Sequence, residues 1–137
     1  MSQSNITDPY VLWIDDDESL LRLLAIRLKG EGYNVQCAGG GKEALRLING
    51  QNFDVVLSDL RMPGLDGLSL FDEIMGLGKD VPVILMTAHG TIQDAVEATQ
   101  RGVFGFLTKP IDHDELRSLL ASAVSQSKGV RTGQWCE

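Results

Sequence analysis

Long apolar runs are missing from this sequence, and so is any surplus of positive charge. No stretch approaches the ~18 consecutive apolar residues that read as a membrane-spanning helix. The polar opening segment, Met1 to Pro9, holds no signal-peptide core. Both absences point to a protein that stays in the cytoplasm and has no membrane partner. Lysine and arginine number 12 against 19 acidic residues, a formal charge of −7. Phosphate-rich surfaces repel such a chain on average, so direct nucleic-acid binding by this domain is not expected. Cysteine is scarce as well: Cys37 and Cys136 stand far apart and form no CxxC or Cys/His cluster, which reads as free thiols in a reducing compartment. Glycine-rich phosphate loops are lacking too. Gly39-Gly40-Gly41-Lys42 looks like one, but a Walker A motif needs glycine where Gln36 stands and serine or threonine where Glu43 stands. Those glycines read as a turn into a helix, and no GxGxxG follows the first strand.

What is present is the alternation of an α/β domain. The 137 residues suit one domain, and 43% hydrophobic content is enough for a buried core. Short apolar runs at Val11 to Ile14, Tyr33 to Ala38, Phe53 to Ser58, Val81 to Thr87 and Val103 to Leu107 read as strands. Continuous runs such as Val83-Ile84-Leu85-Met86 suit strands covered on both faces. Between them lie helical patterns. Leu20, Leu24 and Leu28 repeat at helical spacing, widened by Leu21 and Ala25. Lys42 to Ile48 and Leu68 to Met75 give two more, the second with Asp66 as N-cap. Thr91-x-x-Asp94 and Asp112-x-x-Glu115 resemble capping boxes that open helices to about Arg101 and Ser127. Glycines 30, 32, 50, 76, 78 and 102 fall at or near helix ends, where a left-handed residue is least costly. Five βα units imply parallel strands with right-handed crossovers, hence an open three-layer α/β sandwich. Residues 1–8 read as a tail. From about Lys128 the helical pattern fades, and residues 128–137 read as the start of a linker to an output domain.

In an open parallel sheet, ligands bind beyond the carboxyl ends of the strands. The first strand ends in Asp15-Asp16-Asp17, the third in Asp59 and the fourth in Thr87, while Lys109-Pro110 follows the fifth. Clustered carboxylates raise one another's pKa unless a cation is present. A few hard oxygen ligands with room for water and a phosphate oxygen favour Mg²⁺. A carboxylate can attack phosphorus only if the phosphoryl charge is neutralised and the attack is in line. Lys109 supplies a positive charge for that task, and Thr87 a hydrogen-bond donor. Asp17 by itself reads as a helix N-cap, and Lys42 with its acidic neighbours as solvated surface. A flavodoxin shares the strand pattern, but three aspartates in the first loop would repel its anionic phosphate.

The segments Val11-Leu12-Trp13-Ile14-Asp15-Asp16-Asp17-Glu18, Asp59-Leu60-Arg61-Met62-Pro63-Gly64-Leu65-Asp66-Gly67, Met86-Thr87-Ala88-His89-Gly90 and Gly105-Phe106-Leu107-Thr108-Lys109-Pro110 together resemble the bacterial response-regulator receiver domain. The resemblance covers residues 9–127. It implies a flavodoxin-like, CheY-like fold with strand order 2-1-3-4-5 and five helices. It further implies Asp59 as phosphoacceptor from a sensor histidine kinase. Mg²⁺ would be held by Asp16, Asp59 and the Arg61 carbonyl, with Asp15 acting largely through water. Lys109 would contact the phosphoryl group, across a cis Lys109-Pro110 bond. Thr87 and Phe106 would form the switch pair, with Ala88 as the small residue that keeps the site open. Arg61 and His89 occupy positions that tune phosphoryl lifetime in the family. Phe106 replaces the commoner tyrosine, so no ring hydroxyl is available when the ring is exposed.

The stretch from Met86 to Asp112 looks most like receivers of NtrC-type activators, which are attached to an ATPase domain working on sigma-54 polymerase. On that likeness the domain regulates transcription through an output domain, with a phosphorylation-dependent homodimer as a further expected partner. Two rivals come from other classes. A haloacid-dehalogenase-type phosphatase would need a second aspartate where Arg61 stands. A phosphorylation-independent interaction module of the same fold would usually lack one of the acidic or lysine positions, all of which are kept here.

Overall fold

The computed structural model describes residues 8–88 and 90–132. Five strands, β1 (Tyr10–Ile14), β2 (Asn34–Ala38), β3 (Val55–Asp59), β4 (Val83–Thr87) and β5 (Gly105–Thr108), alternate with five helices, α1 (Glu18–Gly30), α2 (Gly41–Gly50), α3 (Gly67–Gly76), α4 (Ile92–Arg101) and α5 (His113–Thr132). All strand pairs are parallel, in the order β2-β1-β3-β4-β5. This is the open α/β sandwich expected from the alternation of strands and helices, in the strand order that the receiver resemblance implies.

Side-chain alternation along the strands sorts the core into two layers. Val11 and Trp13 of β1, with Val55, Leu57, Ile84, Met86 and Leu107, pack against Leu21, Leu24 and Leu28 of α1 and Leu116 and Leu120 of α5. Leu12 and Ile14, with Val56, Val83 and Leu85, pack on the opposite face against Ala44 and Ile48 of α2, Leu70, Phe71 and Ile74 of α3, and Ala98 of α4. β3 and β4 are buried along their whole length, as continuous apolar runs in a sheet covered on both faces require.

The expected caps are in place. The side chains of Asp17, Asp66 and Thr91 accept from Leu20, Ser69 and Asp94 backbone N–H groups, and Thr91 with Asp94 completes a capping box. Asp112 Oδ1 accepts from the Asp114 and Glu115 N–H groups at the start of α5.

Three strands begin two residues later than the apolar runs suggest. Phe53, Val81 and Val103 pack into the core from the loops, Phe53 and Val103 buried, before ladder pairing starts. The apolar pattern marks burial there, not pairing. Of the six glycines expected at helix ends, only Gly32, Gly78 and Gly102 have positive φ, joined by Gly64 in the β3–α3 loop. The backbone of α5 carries on to Thr132, past the Ser127 end expected from the sequence. Lys128 and Arg131 favour helix, and one glycine, Gly129, lowers helix stability by about 1 kcal/mol without ending it.

Candidate functional site

The carboxyl edge of the sheet gathers the predicted residues. Asp15 follows β1 directly, and its N–H continues the ladder to Ala38 O at 3.1 Å. Its side chain is buried, with Oδ1 accepting from the Asp17 N–H at 3.0 Å. Asp16 is exposed beside it, while Asp17 turns away to cap α1. Asp59 and Thr87, the last residues of β3 and β4, are both buried. Lys109 follows β5, anchored by its N–H to Thr87 O at 2.8 Å. Its ammonium lies 3.0 Å from Asp15 Oδ2 and 3.3 Å from Asp59 Oδ2. Carboxylate oxygens of Asp15, Asp16 and Asp59 lie within 4.8 Å of one another. Four separate chain segments therefore meet at one acidic pocket with one cation.

The electrostatics follow from this crowding. The Asp59 carboxyl is pushed above its ordinary pKa, first by burial and then by the Asp15 charge; the Lys109 ammonium opposes this but does not cancel it. For Lys109, burial works against the charged form, yet hydrogen bonding and attraction to Asp15 and then Asp59 raise its pKa overall. The same contact thus looks different from its two ends: Lys109 has two carboxylates for partners, whereas Asp59 shares one ammonium and faces further negative charge. A site with excess carboxylate, one of it solvent-facing, fits a divalent metal ion held by hard oxygen ligands.

The remaining expected residues surround this pocket. Lys109-Pro110 is cis. Ala88 is exposed, and His89 lies outside the described residues. Phe106 is half-buried, on the strand that pairs with β4, with Leu85 opposite it. Thr87 and Phe106 both close on Gly90: a Cβ placed there would lie 2.6 Å from Thr87 Cγ2 and 3.0 Å from Phe106 Cε2. Gly67 is similarly confined, since a Cβ would meet the Asp59 carbonyl oxygen at 2.7 Å. Neither close approach was visible from spacing alone. The one sequence signal for Gly90 is that it is a glycine with no helix to end. A second missed relation is that the Arg61 guanidinium, on the β3–α3 loop, lies 3.6 Å from Asp94 Oδ2 on α4. The Gly39-Gly40-Gly41 run does form the turn into α2, with Gly41 against Leu65. Cys37 is a free, half-buried thiol whose pKa burial pushes up, and Cys136 lies outside the described residues.

The sequence profile of the response regulator receiver domain matches residues 11–121. The chain belongs to the response-regulator receiver family. This receiver is 49% identical over 128 residues to the transcriptional regulatory protein GlrR of Escherichia coli K12, covering 93% of this chain and 29% of GlrR. It is 41% identical over 116 residues to the DNA-binding transcriptional regulator NtrC of the same organism, covering 84% of this chain and 25% of NtrC. Among solved structures, it matches a Francisella response-regulator receiver domain with TM-score 0.83 and 33% identity, covering 88% and 99% of the two chains. It also matches NtrX of Brucella abortus with TM-score 0.85 and 33% identity, covering 93% of this chain and 29% of NtrX. The receiver thus spans under a third of the length of the curated regulators it matches, and the NtrC kinship expected from the Met86 to Asp112 stretch is borne out. No helix among the described residues is long and apolar enough to cross a membrane.

Proposed function

We propose that this receiver takes a phosphoryl group from a sensor histidine kinase onto Asp59, in the cytoplasm, and thereby switches an output domain that regulates transcription. The observation that carries this reading is the buried Asp59 carboxylate set between Asp15, Asp16 and the Lys109 ammonium at the carboxyl edge of the sheet. Asp16, Asp59 and the Arg61 carbonyl would hold Mg²⁺, with Asp15 acting largely through water. When bound, the ion neutralises charge on the phosphoryl oxygens.

The chain's own residues do the rest. An Asp59 carboxylate oxygen attacks phosphorus in line. The new O–P bond forms as the P–N bond of phosphohistidine breaks, and the electron pair leaves with the imidazole nitrogen. Lys109, already in reach of Asp59, pairs with the incoming phosphoryl oxygens. Thr87 donates its hydroxyl hydrogen to one of them. The aspartyl phosphate carries about half to one more negative charge than the carboxylate it replaces. Thr87 and Phe106 respond to that charge, and the face formed by α4, β5 and α5 changes shape. Water in place of the imidazole returns the site to carboxylate and free phosphate. On the kinship with NtrC, the output domain works with sigma-54 polymerase, and the phosphorylated receivers pair as homodimers.

Intact-mass measurement after incubation with acetyl phosphate tests the reading. A gain of one phosphoryl group that needs Mg²⁺ and is lost in Asp59→Asn is expected. Persistent labelling of Asp59→Asn, or failure of both labelling and beryllofluoride binding in the wild type, would overturn it.

A further inference from the structure

The helix α4 is attached to this domain differently from the other helices. α1 buries Leu21, Leu24, Ala25 and Leu28, α2 buries Gly41, Ala44 and Ile48, and α3 buries Gly67, Leu70, Phe71 and Ile74. α4 buries Ala98 alone, while its apolar Ile92 and Val96 face solvent at 85% and 48% exposure. Burial of one alanine contributes little of the apolar area that fixes a helix on a sheet. Charged contacts reach α4 from outside at both ends. At its first turn, Asp94 Oδ2 lies 3.6 Å from the Arg61 guanidinium of the β3–α3 loop. At its last turn, Arg101 hydrogen-bonds Asp72 of α3, while its other nitrogen meets Glu97 of α4 itself at 3.1 Å.

We propose that the Arg61–Asp94 and Asp72–Arg101 pairs form a two-point clamp that holds α4 in its resting position on the α3 side of the domain. Each pair is partly exposed, so each contributes at most modestly. That scale suits a regulatory restraint. A helix fixed by a deep core would not shift, whereas one restrained by two modest pairs can. The near pair also joins the loop after Asp59 to the helix after Thr87, so displacement of either loop strains it. The consequence for signalling rests on the phosphoacceptor reading above; the clamp itself does not. If phosphorylation favours a displaced α4, then loosening the clamp must in return favour phosphorylation, because the coupling is reciprocal.

Hydrogen exchange resolved to α4, on the metal-free protein without phosphodonor, tests the clamp. The variants are Arg61→Gln, Asp72→Asn and the pair together, chosen because they leave the sequence of α4 and its capping box intact. Exchange within α4 is expected to rise roughly 2- to 5-fold in each single variant and more in the double, with β3 and β4 amides unchanged. Raising salt from 0.1 to 1 M should raise α4 exchange in the wild type, where screening reaches the pairs, and leave the double variant flat. Unchanged α4 exchange in the double variant, or a rise shared by the whole sheet, overturns the clamp. Asp72→Asn lies away from the pocket and serves a second arm: its steady-state extent of labelling by sub-saturating acetyl phosphate should exceed that of the wild type. Faster α4 exchange with unaltered labelling overturns the regulatory consequence alone. No labelling of the wild type counts against the phosphoacceptor reading and leaves the exchange result standing.

Discussion

The Lys109 ammonium stands 3.3 Å from the Asp59 carboxylate, joining the loop after β5 to the end of β3 across the intervening strand β4. The same nitrogen meets Asp15 at 3.0 Å. Removing it leaves two carboxylates in a buried pocket without their cation. Lys109→Met is therefore expected to destabilise the metal-free fold by about 1–3 kcal/mol, the range for leaving a buried polar group unsatisfied. Urea unfolding measures this. If Lys109 also neutralises the transferring phosphoryl group, labelling by acetyl phosphate should slow by about 10²-fold, the scale for losing one donor aimed at developing charge. A variant that labels at the wild-type rate would remove Lys109 from the chemistry.

Asp59 predicts a pH dependence. Its carboxyl pKa in the folded, metal-free state lies above the ordinary value because of burial and then Asp15. A group raised on folding contributes stability that is fully present below its unfolded pKa and is lost as pH rises through its folded one. At neutral pH the ionised Asp59 therefore weakens the fold. Asp59→Asn should be more stable than wild type near pH 7, by an amount of order 1 kcal/mol, and the gap should shrink toward acid. Mg²⁺ should stabilise the wild type, by about 1.4 kcal/mol at ten times its Kd, and do much less for the variant. Thermal melts at two pH values, with and without the ion, check both. Equal melting temperatures at pH 7 would show that the pocket tolerates the charge.

Trp13 is the largest fully buried side chain, and its indole Nε1 has no hydrogen-bond partner among the described residues. Two effects oppose each other in Trp13→Phe. Lost volume destabilises, whereas losing an unsatisfied donor returns about 1–3 kcal/mol. A net change within about 1 kcal/mol is expected, against about 2–5 kcal/mol for Leu28→Ala in the same layer, where nothing offsets the cavity. Comparable losses in the two variants, measured by urea unfolding, would mean that the indole N–H is satisfied.

The sequence and the structure agree most closely where chemistry sits at a strand end. Asp15, Asp16, Asp59, Thr87 and Lys109 were readable because strand ends follow from apolar runs, and a parallel sheet sends its carboxyl ends to one edge. The helix caps Asp17, Asp66 and Thr91 were readable for a similar reason, since a cap is a local event within three residues. What stayed hidden depends on distance in three dimensions. Asp94 reads as a capping partner of Thr91, and nothing local shows that it also faces Arg61, 33 positions earlier. Strand starts were blurred because Phe53 and Val103 are buried before they pair. Gly90 belongs with these cases, because its neighbour Phe106 comes from another strand.

Gly90 gives a final prediction. Thr87 Cγ2 and the Phe106 ring edge occupy the space that any side chain there would need. The requirement for glycine there is steric. Gly90→Ala should cost about 1–3 kcal/mol, as overpacking generally does. The cost should fall on the ring, which is only half-buried, more than on Thr87, whose methyl belongs to a buried strand end. The double variant Gly90→Ala/Phe106→Ala isolates this. If the ring is the obstacle, adding Gly90→Ala to Phe106→Ala costs clearly less than adding it to the wild type, which a double-mutant cycle reads as coupling between the sites. Simple additivity would place the clash on Thr87 instead. If Gly90→Ala displaces the ring outward, and the phosphorylated state needs it inward, the variant should also label more slowly with acetyl phosphate. Normal labelling alongside strong coupling would show that the ring position and phosphorylation are independent in this receiver.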